Sequence, residues 1–257
     1  MQRTHRAQRW KATRRAMKTK IILCLILVLS GVSSVCLSAS TALDEVLVQP
    51  GDTLSQIAER HNLPIVVLQN LNHIQNPDAI QSDANLLIPS LEWLVEPFLK
   101  DGEKVASGNT RIGYLEKTNL LIGLDVFVPD AGAGRFLAVR LDETNRTLAF
   151  DSAKYSGVCS DGGNEWSFID LDGDGDSDIL SEHTEGSGIF LTLCAFHFDG
   201  HKYHKYLVAD DIAIGFIEPR KKKNGSMVIN IYERHMGRST AVDWEQIKKT
   251  KAPDEKP

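Results

Sequence analysis

Acidic residues are missing from the first forty residues of the chain, and no apolar stretch is long. Residues 1–20 carry eight Lys and Arg, the run Ile21 to Leu29 is wholly apolar, and small residues follow through Ser40. This order of basic, apolar and small-residue regions predicts a secretory signal over residues 1–40. An uncleaved anchor stays open, because an apolar stretch of about 17 residues is at the short limit for crossing a membrane.

The signal has two further open points. Met17-Lys-Thr-Lys20 leads directly into the apolar run, so Met17 is an alternative start of translation. Cleavage is expected after Ser40 or Ala42. Arg14-Arg15 leaves twin-arginine export as an alternative, although Lys18 and Thr19 occupy positions where apolar residues are expected.

Cysteine is scarce, with four in 257 residues. Cys24 and Cys36 fall in the predicted signal, so Cys159 and Cys194 remain in the exported chain. An even pair in an oxidising compartment favours a disulfide. The bond would close a loop of about 35 residues, worth roughly 3–4 kcal/mol in the chain-entropy model.

Basic residues are in the minority once the signal is removed. Cleavage after residue 40 removes eight basic residues and no acidic residue. The remaining chain has 21 Lys and Arg and 34 Asp and Glu, which gives a formal charge near −13. Such a balance argues against nucleic acid or an anionic membrane as the partner. The length allows one small module and one core of about 150 residues.

Recognisable catalytic motifs are also missing. No His-Glu-x-x-His or His-x-His is present, and a disulfide would remove the nucleophilicity of Cys159. The histidines His197, His201 and His204 cluster on a predicted hairpin. They are expected to be surface or paired histidines, and a zinc site is the alternative. The carboxylates Glu165, Glu182 and Glu185 could furnish a glycosidase pair, but no spacing selects them. We therefore favour a protein without catalytic activity.

Residues 46–89 follow the order strand, helix, helix, strand. Val46 and Val48 alternate with Leu47 and Gln49, and Pro50-Gly51 then forms a turn. Thr53 stands three residues before Gln56, the spacing of a capping box at a helix start. The apolar stripe of that helix comprises Leu54, Ile57, Ala58 and His61. Asn62-Leu-Pro64 separates the helices, with Pro64 expected in the first turn of the second helix, and Leu86-Leu-Ile-Pro89 closes the unit.

This segment, with its central Gly-Asp-Thr-Leu followed by Ile-Ala, resembles a LysM domain, a module that binds N-acetylglucosamine-containing glycans, chiefly peptidoglycan. The resemblance implies a groove between the loop after the first strand and the loop before the second. Its residues here would be Gly51, Asp52, Thr53, Leu54, Asn76, Pro77 and Ile80. Val46 stands where the family often has an aromatic residue, and Asp83 where it usually has glycine. Aspartate tolerates positive φ better than most residues, so the turn is expected to survive.

The pattern from about residue 92 to 250 is mostly β. Strand-like runs cover 121–128, 135–141, 146–150, 189–198, 201–208, 212–217 and 227–232, and Asp199-Gly200 is a strong hairpin signal. We expect one short helix over 240–249 and a disordered tail over 251–257. The fold class is therefore α+β, with a small βααβ module over 44–90 and a mostly β second domain over 92–250.

Five aspartates alternate along residues 170–178, namely Asp170, Asp172, Asp174, Asp176 and Asp178. Alternate side chains of a regular strand share one face and would repel, so a tight loop around a hard cation is favoured. Carboxylates at loop positions one, three, five and nine with glycine at six suit Ca²⁺, and a carbonyl of Asp176 would complete the set. The run resembles the calcium loop of FG-GAP/VCBS-type repeats. An acidic turn without metal is the alternative.

These patterns predict a periplasmic or extracellular protein associated with the cell wall. The LysM-like module would bind peptidoglycan or a chitin-like glycan, and structural Ca²⁺ would stabilise a β domain whose partner is another protein or a glycan. Membrane attachment is expected only through a retained signal. The alternative function is a peptidoglycan hydrolase that the module targets to the wall.

Overall fold

The computed structural model describes residues 43–129, 134–156, 159, 164–185, 190–233 and 239–250. The predicted signal over 1–40 and the predicted disordered tail over 251–257 lie outside these residues. Within the described ranges, no helix combines the length and the hydropathy needed to span a membrane.

The N-terminal module has the expected order of elements. They are β1 (Asp44–Leu47), α1 (Leu54–Arg60), α2 (Ile65–Leu71) and β2 (Asn85–Ile88). The capping box of Thr53 and Gln56 is present at the start of α1. Two details differ from the sequence prediction. Pro64 is the extended N-cap of α2 and not a residue of its first turn, and His61 is an exposed C-cap, because α1 ends before it.

Strands β1 and β2 pair antiparallel, with Val46 opposite Leu86. Asn72, the C-cap of α2, connects that helix to β2, since its Nδ2 donates to the Leu87 carbonyl at 2.9 Å and its Oδ1 accepts from the Leu87 N–H at 2.7 Å. Leu54, Ile57 and Leu68 are fully buried between the helices and the strands. The module therefore has a core of its own.

The second domain contains two antiparallel sheets. One comprises β3 (Lys104–Val105), β4 (Arg111–Leu115), β5 (Asn119–Phe127), β6 (Gly134–Asp142) and β7 (Asn145–Asp151). The other comprises β8 (Glu165–Ile169), β9 (Asp178–Glu185), β10 (Phe190–Phe198), β11 (Tyr203–Lys221), β12 (Met227–Glu233) and β13 (Ser239–Asp243) in consecutive order. The described part of the chain is thus mostly β, with several sheets.

Aromatic side chains fill the space between the two sheets. Phe136 and Phe150 from the first sheet lie against Trp166 and Phe196 from the second, and the Phe136 and Trp166 rings stack with centroids 5.0 Å apart. The outer face of the second sheet is covered by α4 (Trp244–Ile247), which buries Ile247. The sheets therefore form a sandwich.

The outer face of the first sheet is covered from the N-terminal side. Ser90 caps α3 (Leu91–Val95) by accepting from the Trp93 N–H, and a short 3-10 turn (Glu96–Phe98) follows. Trp93, Leu94 and Val95 lie against strands β5 and β6, and Val67 and Leu71 of α2 join the same cluster. The module and the sandwich thus share apolar contacts.

Several elements of the second domain differ from the sequence prediction, and strands β3 and β4 had no predicted run. Helix α3 lies at the start of the segment that was predicted to be mostly β from about residue 92. The expected strands 201–208 and 212–217 belong to one long strand, β11, whose first part pairs with β10 and whose second part pairs with β12. The expected helix over 240–249 is divided, because residues up to Asp243 pair with β12 before α4 begins.

Candidate functional site

The first loop of the candidate glycan groove turns at Gly51, whose φ is +90°. Asp52 accepts hydrogen bonds from the Gln49 N–H and from the Arg60 guanidinium, both at 2.9 Å, and these contacts lower its pKa. Thr53 caps α1, and the side chain of Leu54 is fully buried. This loop can therefore offer its backbone, the Thr53 hydroxyl and the Asp52–Arg60 ion pair to a ligand, but not the Leu54 side chain.

The second loop of the groove contains Asn76, Pro77 and Ile80. The side chain of Asn76 accepts from the Asp78 N–H at 3.1 Å, which fixes a turn. Pro77 and Ile80 are half-buried, and Ile80 packs against the module core. This loop therefore adds apolar surface next to peptide groups, a combination that suits the methyl, amide and hydroxyl groups of an acetylated sugar.

Val48 holds the two loops together. Its N–H donates to the Ala84 carbonyl and its carbonyl accepts from the Asp83 N–H, both at 2.9 Å. Asp83 has a φ of +66°, as the turn chemistry required. Since Val48 directly precedes the first loop and Asp83 ends the second, both loops leave the same end of the β1–β2 pair.

The aspartate loop connects β8 to β9, and it gathers three of the five predicted ligands. Oxygens of Asp170, Asp172 and Asp174 lie within 4.8 Å of one another. Each of these side chains also accepts a backbone N–H further along the loop, from Gly173, Asp174 and Asp176 respectively. Carboxylates in such a group repel one another unless a cation or protons offset their charge.

The other two aspartates of the loop contact different partners. Asp176 accepts from the Glu116 N–H on the neighbouring hairpin. Asp178 is 1% exposed and accepts from His197 Nδ1 at 2.9 Å and from the backbone N–H groups of Phe198 and Leu171. Burial raises the pKa of Asp178 to about 6. Burial acts to lower the pKa of His197, but the hydrogen bond and charge of Asp178, together with the charges of Asp172 and Asp174, raise this pKa above its ordinary value.

Close packing fixes the position of the aspartate loop. Gly173 has a φ of +89°, and a Cβ there would lie 2.7 Å from the Ser226 nitrogen, so no larger residue fits. Ser177 exchanges two hydrogen bonds with Tyr114 of β4, from Ser177 N–H to the Tyr114 carbonyl and from Tyr114 N–H to Ser177 Oγ, both at 2.8 Å. The loop is therefore attached to both sheets.

The three histidines considered for zinc do not form a common site. His197 binds Asp178, and His204 Nε2 lies 2.7 Å from Asp199 Oδ2. Only the backbone N–H of His201 contacts Asp199. Among the residues that the structure describes, the group of potential metal ligands is the aspartate triad.

Two further features depend on the fold. The sequence indicates Glu165 and Glu182 as candidate carboxylates but gives no spacing that pairs them. Glu165 and Glu182 are directly opposite each other on β8 and β9, and burial together with the charge of Glu165 raises the pKa of Glu182 to about 6. The second feature is a cleft between α2 and the β4–β5 hairpin. No local sequence pattern indicates this cleft, because its lining comes from residues near 70 and residues near 115.

Comparison with known families identifies the module. Residues 46–89 match the family model of the LysM domain, so the chain contains a LysM domain. No curated protein and no solved structure matches the chain. This match covers the module and does not extend into the sandwich domain. The predicted disulfide between Cys159 and Cys194 is present in the structure.

Proposed function

We propose that this protein is a noncatalytic cell-wall binding protein, secreted or periplasmic, whose LysM domain binds N-acetylglucosamine-containing glycans. A LysM domain implies binding of peptidoglycan or chitin-like glycans, and the match over residues 46–89 carries the proposal. The attachment of both groove loops to Val48 supports it. The disulfide is consistent with a location outside the cytoplasm.

The proposed groove residues are Gly51, Asp52, Thr53 and Leu54 in the first loop and Asn76, Pro77 and Ile80 in the second. Ile80 is the apolar side chain chosen for a substitution, because it is half-buried and leaves part of its surface at the loop. Ser82 lies in the same loop and is exposed, so it offers a matched control.

The test of this proposal is co-sedimentation of the purified protein with insoluble peptidoglycan or chitin. We expect the wild type to co-sediment and Ile80→Asp to bind roughly tenfold more weakly, about 1.4 kcal/mol, because a carboxylate would be desolvated against the sugar. Ser82→Asp should bind like the wild type, and circular dichroism should show that both variants are folded. A wild type that stays in solution with both polymers contradicts the proposal.

Peptidoglycan hydrolysis is the second candidate function, and the Glu165–Glu182 pair favours it. Residues opposite each other in an antiparallel pair have Cβ atoms about 5 Å apart, and glycoside hydrolysis uses two carboxyl groups at about 5–9 Å with one pKa raised. Analysis of the supernatants from the same co-sedimentation samples distinguishes hydrolysis from binding alone. Soluble muropeptides that appear with the wild type and not with Glu182→Gln would establish hydrolysis, and their absence would support the binder.

Structural Ca²⁺ in the aspartate loop is part of the proposed function. Asp170, Asp172 and Asp174 would supply carboxylate oxygens, and the Asp176 carbonyl would complete the set. Asp178 would supply a carboxylate oxygen that already accepts hydrogen bonds, since each carboxylate has further lone pairs for a cation. Extracellular sites of this chemistry bind with Kd of about 0.1–1 mM. The role would be to fix the connection between β8 and β9.

We expect 10 mM Ca²⁺ to stabilise the wild type by about 1.4–2.7 kcal/mol, from the linkage between binding and folding at roughly 10–100 times Kd. Thermal melts with and without EGTA measure the difference. Asp172→Asn should lose most of the shift, while Asp101→Asn, at an exposed turn, should keep it. Equal melting temperatures of the wild type in Ca²⁺ and in EGTA would refute the site.

A further inference from the structure

We infer that the protein has a second saccharide-binding site, in the cleft between helix α2 of the LysM domain and the β4–β5 hairpin of the sandwich. The cleft has a volume of about 390 Å³, within the range of small-molecule sites. It lies outside the groove of Gly51 to Leu54 and Asn76 to Ile80. The inference rests on the proposed function, because it takes the ligand to be a glycan.

The floor of the cleft is apolar. Leu120 of β5 is 1% exposed, and Val66 of α2 packs with it in the cluster on the outer face of the first sheet. Ile74, just after α2, belongs to the module core. Part of each wall therefore belongs to a packed helix or strand, while His73, Gln75 and Thr118 line the cleft from the turns beside them.

The polar lining consists mostly of uncharged groups. Gln69, Asn70 and Gln75 provide side-chain amides, and Thr118 provides a hydroxyl. Asn70 Oδ1 is a buried acceptor that receives no hydrogen bond from the residues described by the structure. Amides that donate and accept side by side match the hydroxyl and acetamide groups of a sugar.

The lining disfavours anionic ligands. None of the described residues that line the cleft is Asp, Glu, Lys or Arg. Recognition of phosphate or carboxylate depends on Arg, Lys or a comparable positive group. The histidine of the lining, His73, lies with its Nε2 3.8 Å from Glu143 Oε1, so nucleotides and acidic metabolites find little counter-charge here. An uncharged, hydroxyl-rich ligand fits this lining best.

Tyr114 gives the cleft an aromatic surface. Its side chain lines the cleft and the residue is 40% exposed, one of the few large apolar residues at the surface. The apolar face of a pyranose ring stacks on such a ring, and the phenol adds a polar end. The hydrogen bonds between Tyr114 and Ser177 hold its backbone. Gly113 allows this approach, because a Cβ there would lie 2.6 Å from Ser177 Oγ.

The test is titration of the purified protein with soluble N-acetylglucosamine oligomers, followed by nuclear magnetic resonance and calorimetry. The side-chain amide signals of Gln69, Asn70 and Gln75 should shift on addition of the oligomer. Tyr114→Ala should weaken the binding event that shifts these signals by about fivefold or more and leave the signals of the groove loops responsive. Tyr114→Phe should retain binding, since the stacking ring is kept, whereas Phe127→Ala, at another exposed aromatic residue, should have no effect.

Each outcome separates this site from the groove. Shifts confined to residues 51–54 and 76–80 would overturn the second site and leave the proposed function intact. Cleft shifts that persist in Ile80→Asp would support an independent second site. An absence of shifts in both places would overturn both proposals.

Discussion

Arg135→Met is expected to lower the free energy of unfolding by about 3–5 kcal/mol, because it leaves two buried carboxylates without their partner. The Arg135 guanidinium binds Glu103 Oε2 at 2.7 Å and Asp151 Oδ2 at 2.6 Å, and the three side chains are 5%, 7% and 11% exposed. It also donates to the Phe98 carbonyl at 2.7 Å. Urea unfolding of the variant and the wild type measures the difference.

Two controls identify the cause. Arg220→Met breaks an exposed ion pair with Glu218 and should cost at most about 1 kcal/mol. The triple variant Arg135→Met, Glu103→Gln, Asp151→Asn removes the buried charges together and should recover part of the loss. A loss below about 1 kcal/mol for Arg135→Met alone would contradict the expectation.

The same network predicts the response to acid. The hydrogen bond from Arg135 lowers the pKa of Glu103 below its ordinary value of 4.5. A lowered pKa means that the stabilisation is complete above the pKa of the unfolded chain and is lost as the pH falls through the folded value. The stability difference between the wild type and Arg135→Met should therefore shrink below pH 4.5.

Removal of the disulfide has the second largest expected effect. Cys159 and Cys194 are 35 residues apart and both are buried in the sandwich core. Cys159→Ala/Cys194→Ala should lower the free energy of unfolding by about 3–4 kcal/mol, since the unfolded chain gains the entropy of an open loop. Equilibrium urea unfolding measures it.

A reductant provides the matched comparison for this prediction. Wild type treated with dithiothreitol should approach the stability of the double alanine variant, whereas the variant itself should not respond to the reductant. If thiol titration shows two new thiols in the reduced wild type and its unfolding midpoint is unchanged, the disulfide does not contribute as argued.

Local signals predicted the module well. The capping box of Thr53, the turn at Pro50-Gly51 and the positive φ of Asp83 depend on residues a few positions apart, and the structure contains all of them. The hairpin at Asp199-Gly200 is local for the same reason. The disulfide was predicted because two cysteines remain outside the predicted signal and the predicted compartment is oxidising. These predictions needed no knowledge of which sheets face each other.

Long-range packing accounts for what the sequence did not predict. The alternating aspartates of 170–178 were all predicted to be metal ligands, Asp178 included. In the structure Asp178 lies at the start of β9, where it accepts hydrogen bonds from the Phe198 N–H and from His197 of β10. The continuity of β11 depends on pairing with two different strands. The cleft brings residues near 70 next to residues near 115, and no local pattern records that contact.

Helix α2 packs both in the module and against the first sheet of the sandwich, and this affects how force on the module would be transmitted. Val67 and Leu71 lie in the cluster that covers the first sheet, and α3 begins directly after Ser90. No slack segment separates the described elements on either side of that serine, unlike modules joined by flexible linkers, which reorient freely. A pull on a glycan chain bound to the module would therefore pass to the sandwich domain without first extending a linker. The bound glycan chain would keep a fixed orientation relative to the sandwich domain.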